Sequence, residues 1–548
     1  MVENDVRSDS GSGADASDYD AIVIGAGFGG LYMLYKLRED LGLRVLVLEE
    51  QDGVGGTWYM NRYPGARCDT ESVVYSYGFP DERIADWRWS GKYPKQDELL
   101  RYFNFVADRL DLKRSIEFGT RVSGASFDES HSTWTVNAAD GRSLRTQFLI
   151  SAVGMLASAP YAPKIPGIDN FAGTVVHTGA WPREGVDLAG KRVAVLGTGS
   201  TGVQSIPQVA QQAEHVYVLQ RTPQFTIPAR HVEYDDATWA EIERERPALF
   251  EKARWSLGGF PWEHNGKSVL DVNSEEREAV LEEEMWARGG FEFLWGSYKD
   301  LLTNPEANKL VTDFVKEKIR ARVDDPVTAE SLVPNDHPLG SRRPIVDTNY
   351  LETFNRDNVT LLDLRRDALL GITKAGVQLE SGEVPLDVVI LATGFDAVTG
   401  PYLRMDLRGR EGRKLADKWE TDGPRTHLGF ATSWFPNFFM VGGPGSMFIN
   451  YAILMEQHVE WLTDLIARVR ESGAKVVEAR EDAEARWAQH INQQVDRTVI
   501  PLGGKSWWTG SNIPGRERRT LFYFGPYRRY RAICDEEATS GYQNYAIS

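Results

Sequence analysis

Two short apolar runs in this chain each break on glycine. Residues 21–24 lead into Gly25-Ala26-Gly27-Phe28-Gly29-Gly30, and residues 193–196 lead into Gly197-Thr198-Gly199-Ser200-Thr201-Gly202. A short continuous apolar run bounded by turn residues reads as a buried strand. Apolar residues at helical spacing follow the first motif over 31–37, where an amphipathic helix is expected, and a second strand over 44–48 closes on Glu49. Each unit is thus a strand, a tight turn and a helix start with G-x-G-x-x-G spacing. The first glycine makes the turn, the second lets backbone approach a pyrophosphate, and the third lets helix pack on strand. Free N–H groups and the helix dipole hold the phosphate. Two dinucleotide sites are expected, in an α/β fold with two Rossmann-like domains.

Between and beyond these units the periodicity changes. Residues 95–112 read as a helix, and 115–118, 133–136 and 148–153 as strands, with a turn at Asp140-Gly141. Pro160, Pro163 and Pro166 mark a linker. Residues 231–334 are rich in Glu, Ala and Trp at helical spacing. There Asn304-Pro305 and Asp325-Pro326 each set a cap residue before proline at the first helical position. Asn273 precedes Glu276 at capping-box spacing. This stretch reads as a helical insertion, and nothing in it points to a catalytic cluster. Val388–Leu391 returns to strand character and ends in Ala392-Thr393-Gly394, and a long amphipathic helix is expected over 453–469.

Composition narrows the class. At 548 residues the chain is too long for one core and suggests two or three domains. Its net charge of −17, with no Lys/Arg run, argues against nucleic acid or an anionic membrane as the main partner. No long apolar stretch marks a transmembrane helix, and no feature marks a protein partner. The two cysteines, Cys68 and Cys534, form no C-x-x-C, which excludes a zinc knuckle and a redox dithiol and leaves no metal expected. Residues 1–18 are polar and acidic, read as a disordered tail rather than a signal peptide, and point to the cytoplasm.

Chemistry-bearing residues gather around the two units. Glu49 lies 19 residues after Gly30, where an acid can bind both hydroxyls of an adenosine ribose. The second unit instead places Arg221 19 residues after Gly202, followed by Thr222. An acid there would repel a 2′-phosphate, whereas an arginine can pair with it, so NADP(H) is favoured over NAD(H). A plain surface arginine is the alternative. The loop 55–69 carries Trp58, Arg62, Arg67 and Asp69 beside the first site, and loops so placed often carry function. Asp69 suits a helix N-cap before 70–75 equally well. Arg342 and Arg343 are either solvated or set to meet phosphate or a developing negative charge. Glycines beside Trp507 and Trp508 suggest a loop that closes over a site.

Phe171-x-Gly173-x-x-x-His177-Thr178-x-x-Trp181-Pro182, set between two G-x-G-x-x-G motifs, resembles the fingerprint of class I flavin-dependent Baeyer–Villiger monooxygenases. The loop 55–69 resembles that family's second signature, and the similarity extends through Ala392-Thr393-Gly394 and the Trp507 loop. The resemblance implies FAD at the first unit, held by Gly25, Gly27, Phe28, Gly30, Glu49, Gly56, Thr57, Trp58 and Asp69, with Thr393 and Gly394. It implies NADPH at the second, held by Gly197, Thr198, Gly199, Ser200, Thr201, Gly202, Arg221, Thr222 and Arg342, with Trp507 reaching the nicotinamide side. The implied reaction takes a ketone and O2 to an ester or lactone through a flavin C4a-peroxide. Arg343 matches the arginine that stabilises negative charge in that reaction, and Asp69 the carboxylate that tunes it. Fixed positive charge in a dry site suits that task. Met155, Met447 and Phe448 are expected to line the ketone pocket. His177 reads as a structural link between domains rather than a general base.

The same reading divides the chain. Residues 19–155 and 390–548 form the FAD-binding domain, 156–230 and 335–389 the NADP-binding domain, and 231–334 the helical insertion. The runner-up is a flavin monooxygenase that oxidises nitrogen or sulfur nucleophiles. A nucleotide-binding sensor without turnover is the alternative from another class.

Overall fold

The computed structural model describes residues 17–156 and 160–548, so most of the expected N-terminal tail lies outside the described residues. The first sheet is built on β1 (Tyr19–Ile24), which pairs in parallel with β2 (Val45–Leu48) on one side. On the other side it pairs in parallel with β6 (Ser143–Ser151). β2 carries β3 (Ile116–Glu117), while β4 (Val122–Asp128) and β5 (Thr133–Ala138) run antiparallel into β6. Strands Asp406–Arg408 and Phe438–Met440 then join β4 and β6 from the far end of the chain. β4 is additional to the strands expected from the sequence, since Val122–Asp128 reads VSGASFD, with too few large apolar residues to signal a strand.

Residues 21–24 of β1 are all buried, because the parallel sheet is covered on both faces. The helix after the glycine turn, Phe28–Tyr35, is not amphipathic as expected. Seven of its eight residues, Phe28 to Leu34, are buried. It lies between the sheet and the long helix Tyr451–Glu471, close enough that a methyl on Gly29 would sit 2.7 Å from Val441 and 3.3 Å from the Met455 sulfur.

The second sheet is parallel throughout. Its strands are β7 (Thr174–His177), β8 (Arg192–Leu196), β9 (His215–Gln220), β10 (Val359–Asp363) and β11 (Val388–Leu391). Their order in space is β10-β9-β8-β11-β7. Helices Asp236–Arg254, Ser274–Ala279, Pro305–Arg320 and Pro326–Leu332 fall within 231–334. Asn273, Asn304 and Asp325 cap them as expected, each side chain accepting first-turn N–H groups. Val311, Val315 and Ile319 of Pro305–Arg320 share one core with Val193 and Val216 of the second sheet. The fold is α/β with two Rossmann-like units. Among the described residues no helix is long and apolar enough to cross a membrane.

Candidate active site between the two nucleotide units

Both glycine turns have the geometry of phosphate cradles. Gly25 and Gly197 sit at φ +101° and +112°, conformations that side chains resist. A methyl on Gly30 would lie 1.9 Å from the Gly25 carbonyl oxygen, and one on Gly202 2.1 Å from that of Gly197. The middle glycines leave room instead. Gly27 faces the backbone of Gly56 in the loop 55–69, and a methyl on Gly199 would meet nothing within 4 Å. Helices Phe28–Tyr35 and Ser200–Ala210 both start without a side-chain cap, so their first N–H groups are available to an anion. These features fit dinucleotide pyrophosphates.

The flanking residues are consistent with that fit. The Glu49 carboxylate accepts the Ala26 N–H at 2.6 Å and the Gln51 N–H at 2.8 Å at the rim of the first turn. Burial raises its pKa, against these bonds. The Phe28 ring is buried against Tyr77 and Phe103, so only its backbone can face a ligand. Thr57 and Trp58 begin the short helix Thr57–Met60 after Gly56, and the Trp58 indole donates to the Tyr75 hydroxyl at 3.0 Å. In the second unit the Thr198 hydroxyl donates to the Thr222 carbonyl at 3.2 Å. Arg342 donates to the Gly503 carbonyl at 2.5 Å. Burial depresses its pKa, Asp336 opposes this, and the nearby positive charge of Arg221 adds to it. Two cations thus converge where a phosphate would neutralise both.

Between the cradles stands Arg343. One guanidinium nitrogen pairs with the Asp69 carboxylate, and the other donates to the Ser200 hydroxyl at 3.3 Å. The Arg343 and Asp69 side chains are only 18% and 17% exposed. The guanidinium carbon lies 5.0 Å from the Phe291 ring centroid and 6.0 Å from that of Phe448. Asp69 is not a helix cap. The short turn Ser72–Val74 starts after Glu71 and has no side-chain cap. A guanidinium has five donors in a planar fork, so Arg343 can hold both partners and still present N–H groups to a third oxygen.

Phe291 was invisible in the sequence, and it comes from the stretch in which no catalytic cluster was expected. Gly289 and Gly290 precede it at φ +65° and +58°, and a methyl on Gly290 would lie 2.0 Å from the Tyr93 hydroxyl. That turn carries Phe291 to Arg343. Paired glycines inside a helical pattern were the available signal.

Phe448 meets Trp507 edge-on at 5.0 Å and Phe522 at 5.4 Å, and Met155 packs into the same cluster. Met447 does not join this cluster. It is 2% exposed, bridges Tyr523 and packs into the core around the Tyr451–Glu471 helix. Consecutive residues of an extended segment point to opposite sides, so Met447 faces inward where Phe448 faces the site. His177 accepts the Gly179 N–H at 3.0 Å and lies 3.3 Å from the Thr393 hydroxyl, which donates to the Tyr161 carbonyl at 2.5 Å. Burial lowers its pKa to about 4, so a neutral imidazole ties the 160s linker to the 392–394 crossover. Gly394 turns there at φ +84°.

Comparison with known proteins places this arrangement. A pyridine nucleotide-disulphide oxidoreductase model matches residues 19–245, which include both glycine motifs. The chain is 44% identical over 527 residues to a Baeyer–Villiger monooxygenase of Pseudooceanicola batsensis, covering 96% of each. The chain belongs to the Baeyer–Villiger monooxygenase family. It is also 42% identical to a phenazine N-monooxygenase of Lysobacter antibioticus, covering 97% of this chain and 98% of the relative. A crystal structure of OTEMO in complex with FAD and NADP superposes with a TM-score of 0.93 at 38% identity, over 97% of this chain and 100% of that one. The family resemblance read from 171–182 therefore extends over 96% of this chain.

Proposed function

We propose that this Baeyer–Villiger monooxygenase binds FAD in the first cradle and NADPH in the second, and converts a cyclic or bulky small-molecule ketone and O2 to an ester or lactone. Bound FAD, reduced by NADPH, supplies the activation of O2. The observation that carries the reading is Arg343, largely buried between Asp69, Ser200 and two aromatic faces at the junction of the two units. Its remaining N–H groups meet the negative charge that develops on oxygen as the carbonyl is attacked, and low solvent access strengthens that interaction. Asp69 orients the guanidinium and balances its charge. Arg221, Thr222 and Arg342 hold the 2′-phosphate end of NADPH, and Glu49 takes the ribose of FAD. Phe448, Trp507 and Met155 wall off water on the ketone side. Gly25, Gly27, Gly30 and Gly56 hold one pyrophosphate, and Gly197 to Gly202 the other.

The domain organisation belongs to the same proposal, with 19–155 and 392–548 as the FAD-binding domain, 156–230 and 335–391 as the NADP-binding domain and 231–334 inserted. The crossing falls after Leu391 rather than at the expected 389 because all of Val388–Leu391 pairs within the second sheet. A sheet assembled from both ends of the chain supports it. Two buried free cysteines suit a reducing, cytoplasmic setting.

The test is product mass from the purified yellow protein given NADPH, air and a panel of cyclic, aromatic and steroidal ketones together with phenazine. A product heavier by one oxygen that hydrolyses as an ester supports the reading. The 42% identity to a phenazine N-monooxygenase gives the second reading its footing. An N-oxide with no ester from any ketone would replace the proposal. No NADPH oxidation with FAD bound would point to a sensor.

A further inference from the structure

The loop 55–69 and the Ser200–Ala210 helix come from different nucleotide units, and one side chain fastens them. The Gln204 carbonyl Oε1 accepts the Tyr63 hydroxyl at 2.8 Å, and its Nε2 donates to the Arg67 carbonyl at 3.0 Å. Between these two points Gly65, at φ +83°, passes so close that a methyl on it would lie 2.2 Å from the Gln204 backbone oxygen. The Gln204 amide thus uses its acceptor and a donor on the two flanks of a backbone-to-backbone approach. Tyr63 lays its ring against the core of the second unit. Its hydroxyl stays protonated chiefly through burial, lies by Thr201, and senses both Asp69 and Arg343.

The two ends of this clasp reach the partners of Arg343 by short covalent paths. Asp69 is two residues beyond Arg67, and Ser200 lies one helical turn before Gln204 on the same face. Both bond the guanidinium. The Arg343–Asp69 pair alone joins two flexible side-chain tips. The clasp instead anchors the Gln204 side chain to the loop at the Tyr63 hydroxyl and the Arg67 carbonyl, on either side of the close approach at Gly65, and so sets the distance between those tips.

We propose that Gln204 is a positioning residue, which sets the register of the loop 55–69 on the Ser200–Ala210 helix and through it the geometry of Arg343 between Asp69 and Ser200. This rests on the ketone-oxygenating reading above. Leucine at this position keeps the bulk and loses both bonds. Glutamate keeps the acceptor for Tyr63 but sets a carboxylate against the Arg67 carbonyl. A correct side-chain amide is needed at both ends at once.

The experiment uses full-length, FAD-loaded Gln204→Leu, Gln204→Glu, Tyr63→Phe and the Gln204→Leu/Tyr63→Phe pair. Four quantities are read: ester formed per NADPH consumed, the NADP+ dissociation constant, thermal unfolding, and hydrogen exchange of the 62–69 amides. In Gln204→Leu, ester per NADPH falls about tenfold, because a displacement well under 1 Å already spoils alignment. NADP+ affinity changes by less than about threefold, and amide exchange over 62–69 quickens by about tenfold. Gln204→Glu falls between Gln204→Leu and wild type. The double variant is no worse than Gln204→Leu, since the two residues share one bond. Unchanged exchange over 62–69 overturns the clasp whatever the reaction proves to be. Additive losses in the double variant, or a yield that falls only in step with unfolding temperature, also overturn it. Wild-type enzyme that makes no ester from any ketone refutes the functional reading, and amide exchange then decides the clasp by itself.

Discussion

Replacing Arg343 removes a side chain that joins Asp69 of the first unit to Ser200 of the second without lying in the backbone of either glycine turn. The guanidinium is about four-fifths buried and held on one edge by Asp69 and Ser200. At about 4 Å and an effective dielectric near 20, one unit charge stabilises another by about 4 kcal/mol. That corresponds to about three decades in rate, at the upper end of the hundred- to thousandfold effects of single oxyanion donors. Arg343→Ala should therefore lower ester formation about a thousandfold. Arg343→Lys keeps the charge but not the planar fork, and a single ammonium cannot hold Asp69, Ser200 and a reacting oxygen together, so a loss of about ten- to a hundredfold is expected. NADPH oxidation continues in both, now yielding hydrogen peroxide, because the cofactor cradles are intact. Ester by gas chromatography, NADPH by absorbance and peroxide by a coupled assay separate these outcomes. Arg343→Ala leaves the Asp69 charge unpaired, so Arg343→Ala/Asp69→Asn serves as the control for that strain. Ester formation by Arg343→Ala within tenfold of wild type, at equal flavin content, would refute the reasoning.

Arg221→Glu should raise the KM for NADPH about a hundredfold, the worth of a charge-assisted phosphate pair, and leave that for NADH unchanged or lower; steady-state kinetics with both cofactors checks this. Gly30→Ala drives a methyl into the Gly25 carbonyl, so the purified protein should lose its flavin absorbance. Glu456, buried on the Tyr451–Glu471 helix, accepts the Gly78 N–H and lies 3.4 Å from Arg254, yet burial lifts its pKa from 4.5 to about 7. The fold therefore favours its protonated form, so its contribution is full below about pH 4.5 and lost as pH rises through about 7, a difference of about 3 kcal/mol. Glu456→Gln should flatten that slope in melting temperature between pH 5 and pH 8; an unchanged slope rejects the assignment.

Local signals carried much of this protein. Gly25, Gly27 and Gly30, with their counterparts at 197, 199 and 202, declare strand, turn and helix because only glycine allows the turn and the close helix packing, a constraint set within six residues. Arg221 and Glu49 are readable for the same reason, since each sits at the end of the next strand. Caps at Asn273, Asn304 and Asp325 depend only on their own first turns. What needed the folded chain was anything decided by a neighbour distant in sequence. The Phe28–Tyr35 helix is buried all round because a helix more than 400 residues later covers it. Asp69 could be a cap or an ion-pair partner until Arg343, 274 residues on, was seen beside it. Phe291 and Gln204 matter through what packs on them, and Met447 faces inward because its backbone bridges Tyr523. Backbone conformation answers to near neighbours, whereas the site joins Asp69, Ser200, Phe291, Arg343 and Phe448 from five segments that only tertiary packing brings together.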